Sequence, residues 1–434
     1  MIHPRALYLL FFTEMWERFS YYGMRALLTI YLISDVSKNG LGWSSQAAGQ
    51  LYGIYTGLVY VTPLLGGYLA DRYFGRRNAI LMGALIMAMG HGSLALHGIH
   101  FFYTGLILLM LGNGLFKPNI SSMVGLLYSP EQAHLKDGAY TIFYMGINLG
   151  ALLGTLTCGY LGERVGWHYG FGAAGIGMVI GLVLFYINQN ILGNIGLRQD
   201  SITKVDNTFA NLTPVEVDRI WVIGTLSFFS IIFWLTFEQA GSSISIFALK
   251  YTDRLIYDFE VPASWFQSLN PLFIFIFAPI FSWMWTYLAK HNIYISNPAK
   301  FSMALFILAM GFVVLCIGAV AIPQGASAFG VSMLWVVCAI WLHTLGELCL
   351  SPVGLSAVNK LSPPHMLGLM FGVWFFASAI GNYLGGAIGG YIDVLAKSYT
   401  ISSFFLIFVL ISLLFSLIAA LSAKKLQKLM HEIR

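Results

Sequence analysis

Glu14, Glu17, Arg18, Tyr21, Tyr22 and Arg25 recur at intervals of three and four residues within an otherwise apolar run. On a helix that spacing gathers them on one face. Carboxylates beside guanidiniums and phenols can move a proton, hold an anion, or do each in turn. A carboxylate kept from water can retain its proton near neutral pH. A guanidinium is suited to bidentate binding of a carboxylate. Lys117 lies in Gly112-Asn113-Gly114-Leu115-Phe116-Lys117-Pro118-Asn119, where Pro118 is expected to break the helix directly after the lysine. Glu238 and Glu347 are two more acids in apolar surroundings.

Elements able to position such groups follow from composition. The chain of 434 residues is 58% hydrophobic and only 9% charged, with a mean hydropathy of +0.76. Soluble domains carry about 25% charged residues. Twelve apolar stretches, from 6–33 to 401–421, are each long enough to cross about 30 Å of hydrocarbon as a helix. Helix is required, because lipid cannot satisfy open backbone groups. The expected fold is an all-α integral membrane protein with twelve transmembrane helices in two six-helix bundles, at 1–190 and 217–422. A cytoplasmic linker at 191–216, carrying Asp200, Asp206, Asn207, Asn211 and Pro214, separates them, and a basic cytoplasmic tail follows at 423–434. The tail is amphipathic and is expected to rest on the membrane lipid.

Loop charge gives an orientation. Arg72, Arg76, Arg77, Lys136, Lys290, Lys300, Lys360, Lys424 and Lys425 fall on one side, and fewer cations, Lys38, Arg164, Lys250, Arg254 and Lys397, on the other. The positive-inside rule then places both termini in the cytoplasm. The first apolar run contains Glu14, Glu17 and Arg18, so it reads as a spanning helix rather than a cleaved signal.

Charged groups at membrane depth cost several kcal/mol each unless they are paired or face a polar cavity. The first half holds all the buried bases, Arg18, Arg25 and Lys117, and the second half the acids Glu238 and Glu347. That division suggests ion pairs between halves that break and form as they rock. Asn148, Asn270 and Tyr60 are polar groups within spans that would suit a ligand bearing amides. His343, one turn from Glu347, is either a packed imidazole or a group tuning that acid.

Other classes are excluded on the same grounds. The net charge of +5 is spread over loops with no dense basic patch, so no nucleic-acid partner is expected. The four cysteines sit in apolar stretches without metal-ligand spacing, and the histidines do not cluster. No metal or organic cofactor is expected, and no activated nucleophile points to an enzyme. No repeated pore-lining ring points to a channel. Paired plus and minus charges suit a zwitterion moved by a secondary transporter.

At these residues the chain resembles the proton-coupled oligopeptide transporter family, POT or PTR, of the major facilitator superfamily, bacterial type. The resemblance covers essentially the whole chain. It rests first on Glu14-Met15-Trp16-Glu17-Arg18-Phe19-Ser20-Tyr21-Tyr22-Gly23-Met24-Arg25, then on Gly66-Gly67-Tyr68-Leu69-Ala70-Asp71-Arg72-Tyr73-Phe74-Gly75-Arg76-Arg77. Phe143-Tyr144-Met145-Gly146-Ile147-Asn148, Phe237-Glu238-Gln239 and Gly346-Glu347-Leu348-Cys349-Leu350-Ser351-Pro352 match further signatures.

The resemblance implies proton-coupled symport of di- and tripeptides by alternating access, in the bacterial inner membrane, by a chain functional as a monomer. The alternative is proton-coupled uptake of another small anionic or zwitterionic solute. By the same resemblance Arg18, Tyr22 and Lys117 would meet a peptide's carboxylate. Asn148, Asn270 and Glu347 would meet its amino end, and Tyr60, Trp234, Trp374 and Ser378 its side chains. Arg25 with Glu238, and Lys117 with Glu347, would form bridges between the halves. Glu14, Glu17, Arg18, Glu238 and Glu347 would take part in proton coupling. Asn148 is followed by Leu149-Gly150-Ala151 where the family often has Gly-Ser. The linker is too short for the two extra helices of many bacterial members. The second helix lacks the coupling histidine of animal members, which leaves coupling to carboxylates.

Overall fold

The structure is a computed structural model and describes residues 3–198 and 212–431. The linker residues Asp200, Asp206, Asn207 and Asn211 and the last residues of the tail lie outside the described residues. Among the described residues, fourteen α-helices follow in chain order. The first six are α1 (Arg5–Ile33), α2 (Ser45–Leu69), α3 (Arg76–Leu94), α4 (Ile99–Leu126), α5 (Lys136–Tyr160) and α6 (Trp167–Asn188). Then come α7 (Pro214–Phe237), α8 (Ser243–Lys250), α9 (Leu269–Lys290), α10 (Asn297–Ala319) and α11 (Leu334–Leu361). The last are α12 (Leu367–Gly389), α13 (Ile392–Ser398) and α14 (Ile401–Leu429). Among the described residues, strand is confined to two-residue pairings: Thr252–Asp253 runs parallel to Val331–Ser332, and Leu255–Ile256 antiparallel to Phe259–Glu260.

Among the described residues, nine helical stretches are long and apolar enough to cross a membrane. Helix ends show why elements start where they do. Thr213 accepts from the Glu216 backbone N–H while Glu216 reaches back to Thr213, a capping box with Pro214 in the first turn of α7. Ser296 and Thr400 cap α10 and α14 in the same sense. The helical span Pro214–Lys250 is not α-helical throughout. It leaves α-helical form at Glu238–Gly241, a 3-10 turn, before α8 resumes. The final helix α14 runs on to Leu429, through Lys424, Lys425 and Lys428.

The described chain forms two compact units. Unit 1 comprises Met1–Gly42, Leu58–Lys204 and Pro262–Leu272; unit 2 comprises Trp43–Gly57, Val205–Val261 and Phe273–Arg434. In unit 1, α1 packs on α5 and α6, and α3 on α4 and α6. In unit 2, α10 packs on α11 and α14, and α7 on α12.

Helix α4 corrects an expectation. It continues unbroken through Pro118. A proline has no N–H for the carbonyl four residues back, here Gly114. That carbonyl lies where α2 passes closest: a Cβ on Gly66 would stand 2.0 Å from the Gly114 oxygen. With hydrogen alone at Gly66, the freed oxygen faces the α2 backbone. On the other side, Asn119 Nδ2 donates to Leu115 O at 2.6 Å and bridges the weakened turn. The helix therefore continues through Pro118 and carries Lys117 on it.

Candidate functional site

The expected stripe on α1 forms, and its charged head is buried. Glu14, Glu17 and Arg18 are 1%, 0% and 3% exposed. Arg18 Nε pairs with Glu14 Oε1 at 3.2 Å, one turn away, and donates to Glu17 Oε2 at closer range. The guanidinium also lies over aromatic rings, 5.1 Å from the Tyr21 centroid and 6.0 Å from that of Tyr22. Arg25 sits over the other side of the stripe, 5.8 Å from the Tyr22 centroid.

Helix α4 brings the second cation to this face. Lys117 Nζ stands 4.6 Å from the centroid of Tyr60 on α2. It feels the charges of Glu14, Glu17, Arg18 and Arg25. One turn before it, Asn113 Nδ2 donates to Glu17 Oε1 at 3.2 Å. A small residue lets α5 close over the same stretch: a Cβ on Gly150 would stand 2.9 Å from that of Arg18. Three buried atoms of the cluster have no hydrogen-bond partner, Glu14 Oε2, Arg18 Nη2 and Asn113 Oδ1. Buried polar atoms are normally satisfied. An unpaired acceptor and an unpaired guanidinium nitrogen together describe a place for a group that both donates and accepts.

The remaining site residues of unit 1 are Asn148 and Asn270. Asn148 is buried on α5 and donates back to Tyr144 O at 3.0 Å. Asn270 lies at the start of α9 and is half-buried.

In unit 2, Glu238 is buried where α7 leaves helical form. Tyr52 donates to its Oε2 at 3.0 Å. Gly241 leaves the space for that phenol, since a Cβ there would stand 1.8 Å from Tyr52 Oη. Helix α12 supports this turn through small residues: Gly381 faces Trp234 and Gly385 faces Glu238, with added Cβ atoms at 2.7 and 2.8 Å from theirs. Trp234 packs between Phe233 and Phe237. Trp374 is buried on α12 against Phe301 and Gly354, and Ser378 donates to Trp374 O at 3.2 Å. Glu347 is half-buried on α11. His343 is a packed imidazole, its ring 4.6 Å from that of Phe312 and pressed against Gly311.

A second polar cluster in unit 2 went unnoticed in the sequence. Asp393, on α13, accepts from Lys250 Nζ at 2.7 Å, from Tyr251 Oη at 3.2 Å and from Ser45 Oγ at the start of α2. Burial alone would raise its carboxyl, but the hydrogen bonds from Lys250 and Ser45 outweigh that and hold it below the usual aspartate value.

Asn113 and Tyr52 are the site neighbours missed by sequence reasoning. Asn113 carried a signal, being four residues before Lys117 and so on its face. Tyr52 is two turns before Tyr60, but nothing local ties it to a residue 186 positions away.

Among the described residues, no group of His, Cys, Asp and Glu could hold a metal ion. An all-α chain with this many apolar helices is a multi-spanning membrane protein, and its likeness to solved structures gives it the major facilitator fold. It has a TM-score of 0.86 with a solved peptide transporter POT in complex with sulfate, at 33% identity over 99% of this chain and 96% of that one. A POT family transporter in complex with 5-aminolevulinic acid gives 0.88, at 29% identity over 98% and 97%.

The PTR2 family model, described as the POT family, matches residues 77–219 and 207–407, and the chain belongs to that family. It is 36% identical over 472 residues to the peptide transporter YePEPT of Yersinia enterocolitica, covering 93% of this chain and 92% of the relative. It is 30% identical to the di-/tripeptide transporter of Lactococcus lactis, over 99% and 97%. As a member of the POT family the chain is a transporter and not an enzyme.

Proposed function

We infer that this protein carries di- and tripeptides across the bacterial inner membrane by proton-coupled symport. The observation that carries the reading is the buried cluster of Glu14, Glu17, Arg18 and Lys117. Fully ionised, these four groups sum to no net charge. One proton on either carboxylate leaves a net positive site and releases arginine nitrogens that a carboxylate had held. A peptide's carboxylate can then take their place, so proton and peptide each favour binding of the other. Family membership, and relatives whose names specify peptides, support peptides as the cargo.

Within this reading the chain crosses the membrane twelve times as two six-helix bundles with both termini in the cytoplasm, and acts as a monomer. Arg18, Tyr22 and Lys117 meet the carboxylate, and Asn148, Asn270 and Glu347 the amino end. Tyr60, Trp234, Trp374 and Ser378 face the side chains. Arg25 with Glu238 and Lys117 with Glu347 form bridges that open and close in the cycle. Protons are the coupling ion. A second reading, uptake of another small zwitterion, is favoured by the related structure holding 5-aminolevulinic acid, which pairs an amine with a carboxylic acid in one short chain.

The test is uptake of a labelled dipeptide into sealed liposomes holding the purified protein, driven by an inward proton gradient. Saturable, gradient-dependent uptake competed by dipeptides is expected. Gradient-dependent uptake of labelled 5-aminolevulinic acid, with no uptake of the dipeptide, would establish the second reading instead.

A further inference from the structure

Asn113 is fully buried on α4, and its two polar atoms are used unequally. Nδ2 donates to Glu17 Oε1 at 3.2 Å, while Arg18 donates to the other oxygen of the same carboxylate. Oδ1 is buried without a partner. The charged groups around Glu17 are Arg18 and Glu14 on its own helix and Lys117 on α4. Facing this stretch of α1, helices α5 and α6 bring glycine: Gly150 lies against Met15 and Arg18, and Gly181 against Trp16 and the Glu17 backbone.

Arg18 and Lys117 can only donate. They suit an ionised Glu17, but neither can accept the hydrogen of a protonated one. A carboxamide can do both. With Nδ2 turned toward Glu17 it serves the carboxylate, as seen. Rotated about its terminal torsion, it presents Oδ1 to the carboxyl O–H. The idle Oδ1 is an acceptor that this rotation brings to the proton that arrives.

We propose that Asn113 is a positioning residue that gives Glu17 a hydrogen-bond partner in both protonation states and so sets the pH at which the transporter takes up its coupling proton. In the step itself one proton binds Glu17 Oε1, the Nδ2–H···Oε1 hydrogen bond is exchanged for Oε1–H···Oδ1, and no covalent bond of Asn113 changes. The inference rests on the reading above that Glu17 carries the coupling proton.

The experiment compares wild type, Asn113→Leu, Asn113→Ser and Glu17→Gln in liposomes. It measures dipeptide counterflow at fixed pH, and gradient-driven uptake with the external pH varied from about 5 to 8. Leucine approximates the shape of asparagine without its polar atoms. The ionised carboxylate loses the stronger hydrogen bond, so the proton is favoured. The pH of half-maximal uptake is expected to rise by about one unit, a tenfold change in proton affinity, with counterflow kept. Serine, which both donates and accepts, should bring the half-point back toward wild type and covers the case in which leucine does not fold.

An unchanged half-point with lower rates at every pH would overturn the proposal and leave Asn113 a packing residue. Loss of counterflow in both well-folded Asn113 variants would overturn it too, by placing Asn113 in peptide holding. Glu17→Gln separates the levels. If it still accumulates peptide, the assignment of Glu17 fails. If it does not, and leucine leaves the half-point unmoved, only the role of Asn113 fails.

Discussion

Two polar clusters, one around Arg18 in the first unit and one around Asp393 in the second, are built from similar groups and finished differently. Asp393 meets an ammonium, a phenol and a hydroxyl. The Arg18 cluster is more deeply buried, yet leaves Glu14 Oε2, Arg18 Nη2 and Asn113 Oδ1 unpaired. A network whose carboxylate is filled with donors holds a structure in place. A buried network with idle donors and acceptors is under-satisfied, and such a state is costly unless a ligand or a proton completes it. The difference separates a site from a fastening without appeal to any relative.

The largest expected effect follows from removing a cation from the under-satisfied cluster. Lys117→Ala and Arg18→Ala should each abolish concentrative dipeptide uptake, because a desolvated charged contact is worth roughly 2–5 kcal/mol. Wild-type-like uptake by the Lys117→Ala protein, measured in the liposome assay, would erase the distinction between the clusters.

A smaller effect is expected at the satisfied cluster. Asp393→Asn should lower thermal stability by a few degrees, about what a charge-assisted hydrogen bond contributes, and leave the pH profile of transport in place. The sign follows from its depressed carboxyl. A group held below its ordinary value, 3.8, stabilises fully above that value and loses its contribution as pH falls through the lower folded one. Between pH 5 and 8 its contribution is therefore constant. A thermal-shift series of wild type and Asp393→Asn across that range should run parallel. A gap that closes near pH 6 would mean that Asp393 titrates there and belongs with the proton machinery.

How far the sequence revealed these features depended on range. Contacts within one helix were legible in part: the four-residue spacing of Glu14 and Arg18 implies their pairing, while the closer contact of Arg18 with the adjacent Glu17 does not follow from it. Long apolar runs made the membrane class legible, with nine described stretches apolar and long enough to span where twelve were expected, and the signature elements placed the chain in its family. Periodicity names a face but not what lies across from it. Asn113 with Glu17, Tyr52 with Glu238 and Ser45 with Asp393 are separated by 96, 186 and 348 residues. Each depends on how helices cross. The continuity of α4 through Pro118 was hidden too, because it relies on Gly66 of another helix accepting the close approach of the freed Gly114 carbonyl. The 3-10 turn at Glu238–Gly241 lies in an apolar run with no proline, and the groups packed on it, Gly385 against Glu238 and Tyr52 against Gly241, come from distant parts of the chain.

The coupling claim rests on carboxylates that hold Arg18 until a proton displaces them. Glu17→Gln mimics the protonated form at nearly constant shape, so counterflow and gradient-driven accumulation of a dipeptide by that variant, measured in the same liposomes, test the claim directly. Counterflow should persist, since the site can still receive peptide, while accumulation under a pH difference should vanish. Accumulation at the wild-type level in Glu17→Gln, and again in the double variant with Glu14→Gln, would remove both acids from the proton path and contradict the mechanism.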